Sequence, residues 1–112
     1  MSWQAPDRKL DDMWAQLIEM RLKPDRDTAE MAKHIRAAEQ PGSGLVRSLL
    51  MHDQKDPRRV FTLVVFDSEE KARAREKDPR RGEALEAARE IMAEILEGPP
   101  EFTDLVVDEE WT

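Results

Sequence analysis

Apolar residues recur at every second position in some stretches of the chain and at every third or fourth in others, and this alternation predicts the elements. In 13–22, MWAQLIEMRL, Trp14, Ile18, Met20 and Leu22 fall on one side of a strand, with Gln16 among them. Met13, Ala15, Leu17, Glu19 and Arg21 fall on the other. Met, Leu, Glu and Gln also favour helices, so a helix is the rival reading there. Pro24 stops either element. Residues 27–39 switch to the helical period, with Met31, Ile35 and Ala38 on one face and Ala32 beside them. Asp27 and Glu30 stand at capping-box spacing before that run. The sequence Gln40-Pro41-Gly42-Ser43-Gly44 then turns the chain.

Two strands are predicted next, 45–52 (LVRSLLMH) and 60–66 (VFTLVVF), joined as a hairpin by the polar 53–59. The second run is apolar without interruption, which predicts burial on both faces. Asp67 or Ser68 can cap a short, highly charged helix from Glu69, which Asp78-Pro79 interrupts. A longer helix over 81–96 carries the stripe Leu85, Ala88, Ile91, Met92 and Ile95. Gly98-Pro99-Pro100 ends it. Residues 102–107 read as a last strand, with Leu105, Val107 and Trp111 on one face and Phe102 and Val106 on the other.

The order is β-α-β-β-α-β. It predicts an α+β, ferredoxin-like fold with a four-stranded antiparallel sheet and helices on one face. The opposite face would carry Leu17, Leu49, Phe61 and Leu63. An uncovered patch of that kind is not expected on a soluble monomer, and a second copy related by a two-fold axis is the simplest cover.

Composition narrows the function classes. A chain of 112 residues is expected to form one domain, here 13–112, preceded by a polar arm over 1–12 in which Trp3 could dock onto the body or a partner. The 25 acids outweigh the 18 Lys and Arg, for a net charge of −7, which opposes nucleic-acid binding. There is no cysteine, hence no disulfide, thiolate metal site or cysteine nucleophile. The two histidines, His34 and His52, stand on different predicted elements and show no metal-ligand spacing. No apolar run approaches a membrane span, and the first residues lack the core of a signal peptide, so a cytoplasmic location is expected. The arginine pairs at 58–59 and 80–81 read as solvated turn charge, and His52 as a solvated loop residue.

Several short motifs resemble those of the antibiotic biosynthesis monooxygenase-like family. Leu22-Lys23-Pro24-Asp25 looks like its strand exit, and Gln40-Pro41-Gly42 with Gly44 like its helix-to-strand turn. Phe66-Asp67-Ser68-Glu69-Glu70 resembles its strand-to-helix motif, which usually begins with Trp. Asp78-Pro79-Arg80 and Gly98-Pro99-Pro100 are similar to later turns of the quinone-forming members. The resemblance implies a homodimer whose two sheets pack face to face as a dimeric α+β barrel, with a substrate cleft between sheet and helices. It also implies cofactor-free oxygenation of a polyketide or aromatic compound, or in other members haem degradation.

The usual polar set is mostly replaced here. Phe66 stands for the Trp, Thr62 where some members have Asn, and Ala72 where a Tyr would match. No histidine lies between Lys71 and Arg81, so haem is expected to bind weakly or not at all, and no cofactor is expected. The candidate ligand-binding residues are Trp14, Met31, His34, Thr62 and Phe66, with Arg21 a further group that could meet an anion. Each also has a plain structural role as core packing, strand former or surface group. Three functions therefore stand open: an oxygenase for an aromatic compound, a non-catalytic dimer holding a small apolar ligand, and an interaction module with no pocket.

Overall fold

The computed structural model describes residues 12–39 and 42–111. The arm with Trp3 and the Gln40-Pro41 step of the first turn lie outside the described residues. The elements follow the predicted order: β1 (Trp14–Arg21), α1 (Ala29–Ala37), β2 (Leu45–His52), β3 (Arg59–Phe66), α2 (Glu69–Glu76), a 3₁₀ turn (Pro79–Arg81), α3 (Gly82–Ile95) and β4 (Glu101–Val106). The four strands form one antiparallel sheet in the order β2-β3-β1-β4. The first stretch is therefore a strand; Trp14 pairs with Phe66 on one side and Val106 on the other.

Local chemistry explains the connections. Lys23-Pro24-Asp25-Arg26 is a tight turn closed by Arg26 N–H donating to the Lys23 carbonyl at 3.3 Å, and Asp25 takes the positive φ of 64° that its third position requires. At the start of α1 the capping differs from the expected box. Thr28 is the cap residue, and the Asp27 carboxylate accepts from the Ala29 N–H at 2.9 Å. Ser68 caps α2, accepting from Lys71 N–H at 3.2 Å. Gly44 has φ +84°, and a Cβ there would stand 2.6 Å from Lys71 Cδ, so glycine lets the first turn of α2 lie against the head of β2.

The sheet register sorts side chains into two faces. On the helix side the rows are Leu45–Phe66–Trp14–Val106, Ser48–Val64–Gln16–Asp104, Leu50–Thr62–Ile18–Phe102 and His52–Val60–Met20. Met20, Leu22, Met31, Val60, Ile95 and Leu96 form a buried cluster at one end, where α1 and α3 close on the sheet. Trp14, Val64, Phe66 and Ala72 form a second cluster at the other end, under α2.

The far face carries Met51–Phe61–Glu19–Glu101, Leu49–Leu63–Leu17–Thr103 and Arg47–Val65–Ala15–Leu105, and among the described residues no helix covers it. This corrects the expectation that β3 is buried on both faces. Val60, Thr62, Val64 and Phe66 are buried, whereas Phe61, Leu63 and Val65 between them are only half-buried. His52 ends β2 on the helix side, not in a loop, and is exposed there. β4 keeps the predicted alternation in register but is exposed along its whole length, as an edge strand.

Candidate functional site

The two core clusters leave a gap between them. A cleft of about 910 Å³ opens there, between the middle of the sheet and the helices. Its floor is Gln16, Ile18, Thr62 and Val64 from the central strands β1 and β3. Met31 and Ile35 of α1, with Leu85, Ala88 and Met92 of α3, make an apolar wall. Trp14 and Phe66 close the end under α2, their ring centroids 6.2 Å apart. The linker Gly98–Pro100 and the exposed Phe102 form a lip on the side of edge strand β4.

Four of the five predicted ligand-binding residues, Trp14, Met31, Thr62 and Phe66, thus line one cavity. His34 does not line it and sits half-buried on α1. Arg21 stands on the other face of β1, where it pairs with Asp56 at 2.9 Å. Met31 and Phe66 are buried core residues that also face the cleft.

Thr62 is 4% exposed, and its hydroxyl oxygen has no hydrogen-bond partner among the described residues. Its register neighbours, Leu50 and Ile18, offer it nothing polar. Leaving such a group unpaired costs on the order of 1–3 kcal/mol.

Two arginines join the cleft that the sequence did not single out. Arg75 reaches in from α2, one turn beyond the buried Ala72 and on the same face. Its guanidinium carbon lies 5.2 Å from the centre of the Phe66 ring. One terminal nitrogen pairs with Glu39, while its buried Nε has no partner among the described residues. Burial first, and then the nearby positive charge of Arg81, lower its pKa to about 10, so it remains a cation at neutral pH.

Arg81 is only 4% exposed, which corrects its reading as solvated turn charge. It donates from Nε to the Ala38 carbonyl at 2.9 Å and from a terminal nitrogen to the Arg75 carbonyl at 3.2 Å. Burial is the main influence on its pKa as well, and lowers it. Arg73, at the same end, covers the Trp14 ring at 4.9 Å and pairs with Asp104 of β4 at 3.1 Å.

The 3₁₀ turn aims Arg81 into the fold, and Asp78 starts that turn. Its carboxylate accepts from the Arg80 N–H at 2.9 Å and from the Arg80 guanidinium, which hold its pKa down at about 2. A lowered folded-state pKa means that the stabilisation is full above the unfolded value near 4 and is lost as pH falls toward 2. Asp78→Ala should therefore lower the urea midpoint at pH 7, and the difference from the parent should shrink between pH 4 and pH 2. Equal midpoints for the two proteins at pH 7 would show that this cap contributes nothing.

Among the described residues, no group of three His, Cys, Asp or Glu is placed to hold a metal ion, and no helix is long and apolar enough to cross a membrane. Among the described residues the cleft lining contains no histidine, cysteine or tyrosine, and its soft donors are the thioethers of Met20, Met31 and Met92.

No protein-family profile matches the chain, and no curated protein matches it in sequence. Solved structures do. A Chloroflexus aurantiacus protein carrying the name antibiotic biosynthesis monooxygenase superposes with a TM-score of 0.68 at 22% identity, over 89% of this chain and 97% of that one. SnoaB, a cofactor-independent oxygenase from Streptomyces nogalater, superposes with a TM-score of 0.65 at 14% identity, over 88% of this chain and 96% of its own. A Mycobacterium tuberculosis protein gives 0.68 at 16% identity, over 89% and 99%. At these identities the likeness is one of fold, and the chain has the α+β fold of the antibiotic biosynthesis monooxygenase proteins, as the sequence motifs implied.

Proposed function

We propose that the protein is a two-fold dimer, each of whose clefts holds a small planar aromatic molecule, and that its chemistry is cofactor-independent oxidation of that molecule. The observation that carries the reading is the cleft itself. Its apolar walls, two aromatic rings at one end and buried hydroxyl on the floor are the make-up of a small-molecule site. The likeness to SnoaB supports the oxidation step. In such a step the substrate loses a proton and passes an electron to O₂. One oxygen atom then enters the substrate carbon and the other leaves as water. The protein's part is to bind the ring system, exclude water and stabilise the substrate anion. The dimer is supported by the far face of the sheet, where Leu49 and Met51 are 41% and 40% exposed around a leucine row.

A second reading, binding without catalysis, is favoured by one observation. The lining offers no histidine or tyrosine to take the substrate's proton, and its two carboxylates, Glu76 and Glu97, are engaged in ion pairs with Arg73 and with Arg58 and Arg21. One experiment separates the two. A neutral tricyclic probe, 2-(hydroxymethyl)anthracene, is titrated by fluorescence against the protein and against Ile18→Trp, which fills the cleft from its floor. Saturable one-to-one binding, lost in the variant, is expected. Oxygen uptake with an anthrone then decides the chemistry. Uptake no faster than without protein leaves the binding reading, and binding unaffected by Ile18→Trp removes the cleft from consideration.

A further inference from the structure

We propose that the molecule taken by the cleft carries an ionised oxygen, a carboxylate or phenolate on its ring system, seated against Arg75 and Arg81. The inference rests on the reading of the cleft as a small-molecule site and adds the charge of its ligand.

The first argument is the sign of the lining. In a chain of net charge −7, the cleft is lined by Lys23, Arg75, Arg81 and Arg89 against only Glu76 and Glu97. Glu97 pairs with Arg58 and Arg21, and Glu76 is shared: it pairs with Arg73 at 3.3 Å and also attracts Arg75 and Arg81. The positive charge is therefore only partly neutralised by the protein's own carboxylates.

The second argument is the bonding of the two buried guanidiniums. Buried charges are ordinarily matched by an opposite charge. Arg81 gives its hydrogen bonds to two backbone carbonyls, and among the described residues no carboxylate lies within ion-pair distance of it. Arg75 has one carboxylate, Glu39, and a buried Nε with no acceptor. The two cations also repel each other. An anion entering the cleft would supply the missing acceptor and the missing charge together. The planar guanidinium fork suits a carboxylate or an aromatic oxyanion in particular.

The third argument is shape. Arg75 lies over the Phe66 ring, so an oxygen bound to it brings the attached ring beside Phe66 and Trp14. Thr62 is four residues back along β3, about 13 Å by strand geometry. Its unpartnered hydroxyl is placed to meet a second polar atom at the far end of an elongated ligand.

The test compares three tricyclic probes that differ in one group: anthracene-2-carboxylate, 2-hydroxyanthracene, and neutral 2-(hydroxymethyl)anthracene. Dissociation constants are measured by fluorescence at pH 7 and pH 9. The carboxylate should bind at least ten-fold more tightly than the neutral alcohol at both pH values, if carboxylates are the source. If phenolates are, 2-hydroxyanthracene should gain the ten-fold advantage as the pH rises. Arg75→Met should bring the ratio of the anionic to the neutral probe's affinity close to one. Arg75→Lys, which keeps the charge and loses Nε and the fork, should retain only part of the advantage, and it serves where the methionine variant fails to fold. Equal affinity for all three probes would overturn the ionised oxygen and leave the cleft standing. An undiminished preference in both Arg75 variants would overturn the arginine assignment. Binding of none of the three would remove the underlying reading as well.

Discussion

Phe66→Ala is expected to cost about 3–5 kcal/mol of folding stability, the range for truncating a buried phenylalanine. Phe66 is 2% exposed, packs with Trp14, Val64 and Ala72, and lies beneath the Arg75 guanidinium. It therefore acts as core at the end of the cleft, although its ring also forms the cleft wall. Truncation removes ring contacts on the sheet side and on the α2 side, and the gap left behind runs into the open cleft. Single domains have only about 5–15 kcal/mol in total, so the variant should be near the limit of folding. Phe66→Trp tests the same packing in the other direction, with an overpacking cost of about 1–3 kcal/mol. Urea denaturation of both variants checks the pair. A loss below about 2 kcal/mol for the alanine, with the tryptophan accommodated freely, would mean that this end is open pocket and not core.

Leu63→Glu is expected to turn a dimer of twice 13.0 kDa into a monomer. Leu63 sits between Leu49 and Leu17 at the middle of the uncovered sheet face, with Val65 and Phe61 on either side along β3. In a two-fold dimer built on that face, two copies of the new carboxylate would be buried within the leucine row, a penalty of several kcal/mol per ion that Arg47 in the next row could offset only in part. In the free chain the same position faces water, so the fold should tolerate it. Sedimentation equilibrium at micromolar concentration reads the mass directly. A parent protein that is already monomeric would remove the dimer proposal, and an L63E protein that remains dimeric would move the interface away from this face.

The strands were legible because their residues repeat with the period of the pleat. Trp14, Ile18 and Met20 on one side of β1, and Leu17 on the other, stand where alternation puts them. The resemblance of Leu22-Lys23-Pro24-Asp25 and Phe66-Asp67-Ser68-Glu69-Glu70 to one family was also legible, because turns and caps are set by a few residues acting locally. Three cleft residues, Trp14, Thr62 and Phe66, followed from the same alternation combined with that resemblance, and Met31 from the helical period of α1. His34 stands off the cleft lining because neighbouring positions on a helix differ by 100° in direction, so that Met31 and Ile35 face the cleft and His34 is turned aside.

The chain's own pattern thus determined the element order, the split of each central strand into two faces, and the existence of an apolar sheet face that its helices cannot cover. Those properties depend on residue type and local spacing alone. Tertiary structure decided the chemistry of the site. Arg75 and Arg81 lie in a segment that is charged nearly all round, EEKARAREKDPRR being surface-like by composition save for Ala72 and Ala74. Whether an arginine there is solvated or buried depends on which side of α2 meets the sheet and on how the Asp78-Pro79 turn directs the next residues. The same holds for Thr62, a good strand former whose hydroxyl becomes unpartnered only because Ile18 and Leu50 flank it and helices cover it. Burial is a property of the assembled neighbours, and the electrostatics of a buried charge follow from burial. No local pattern encodes that.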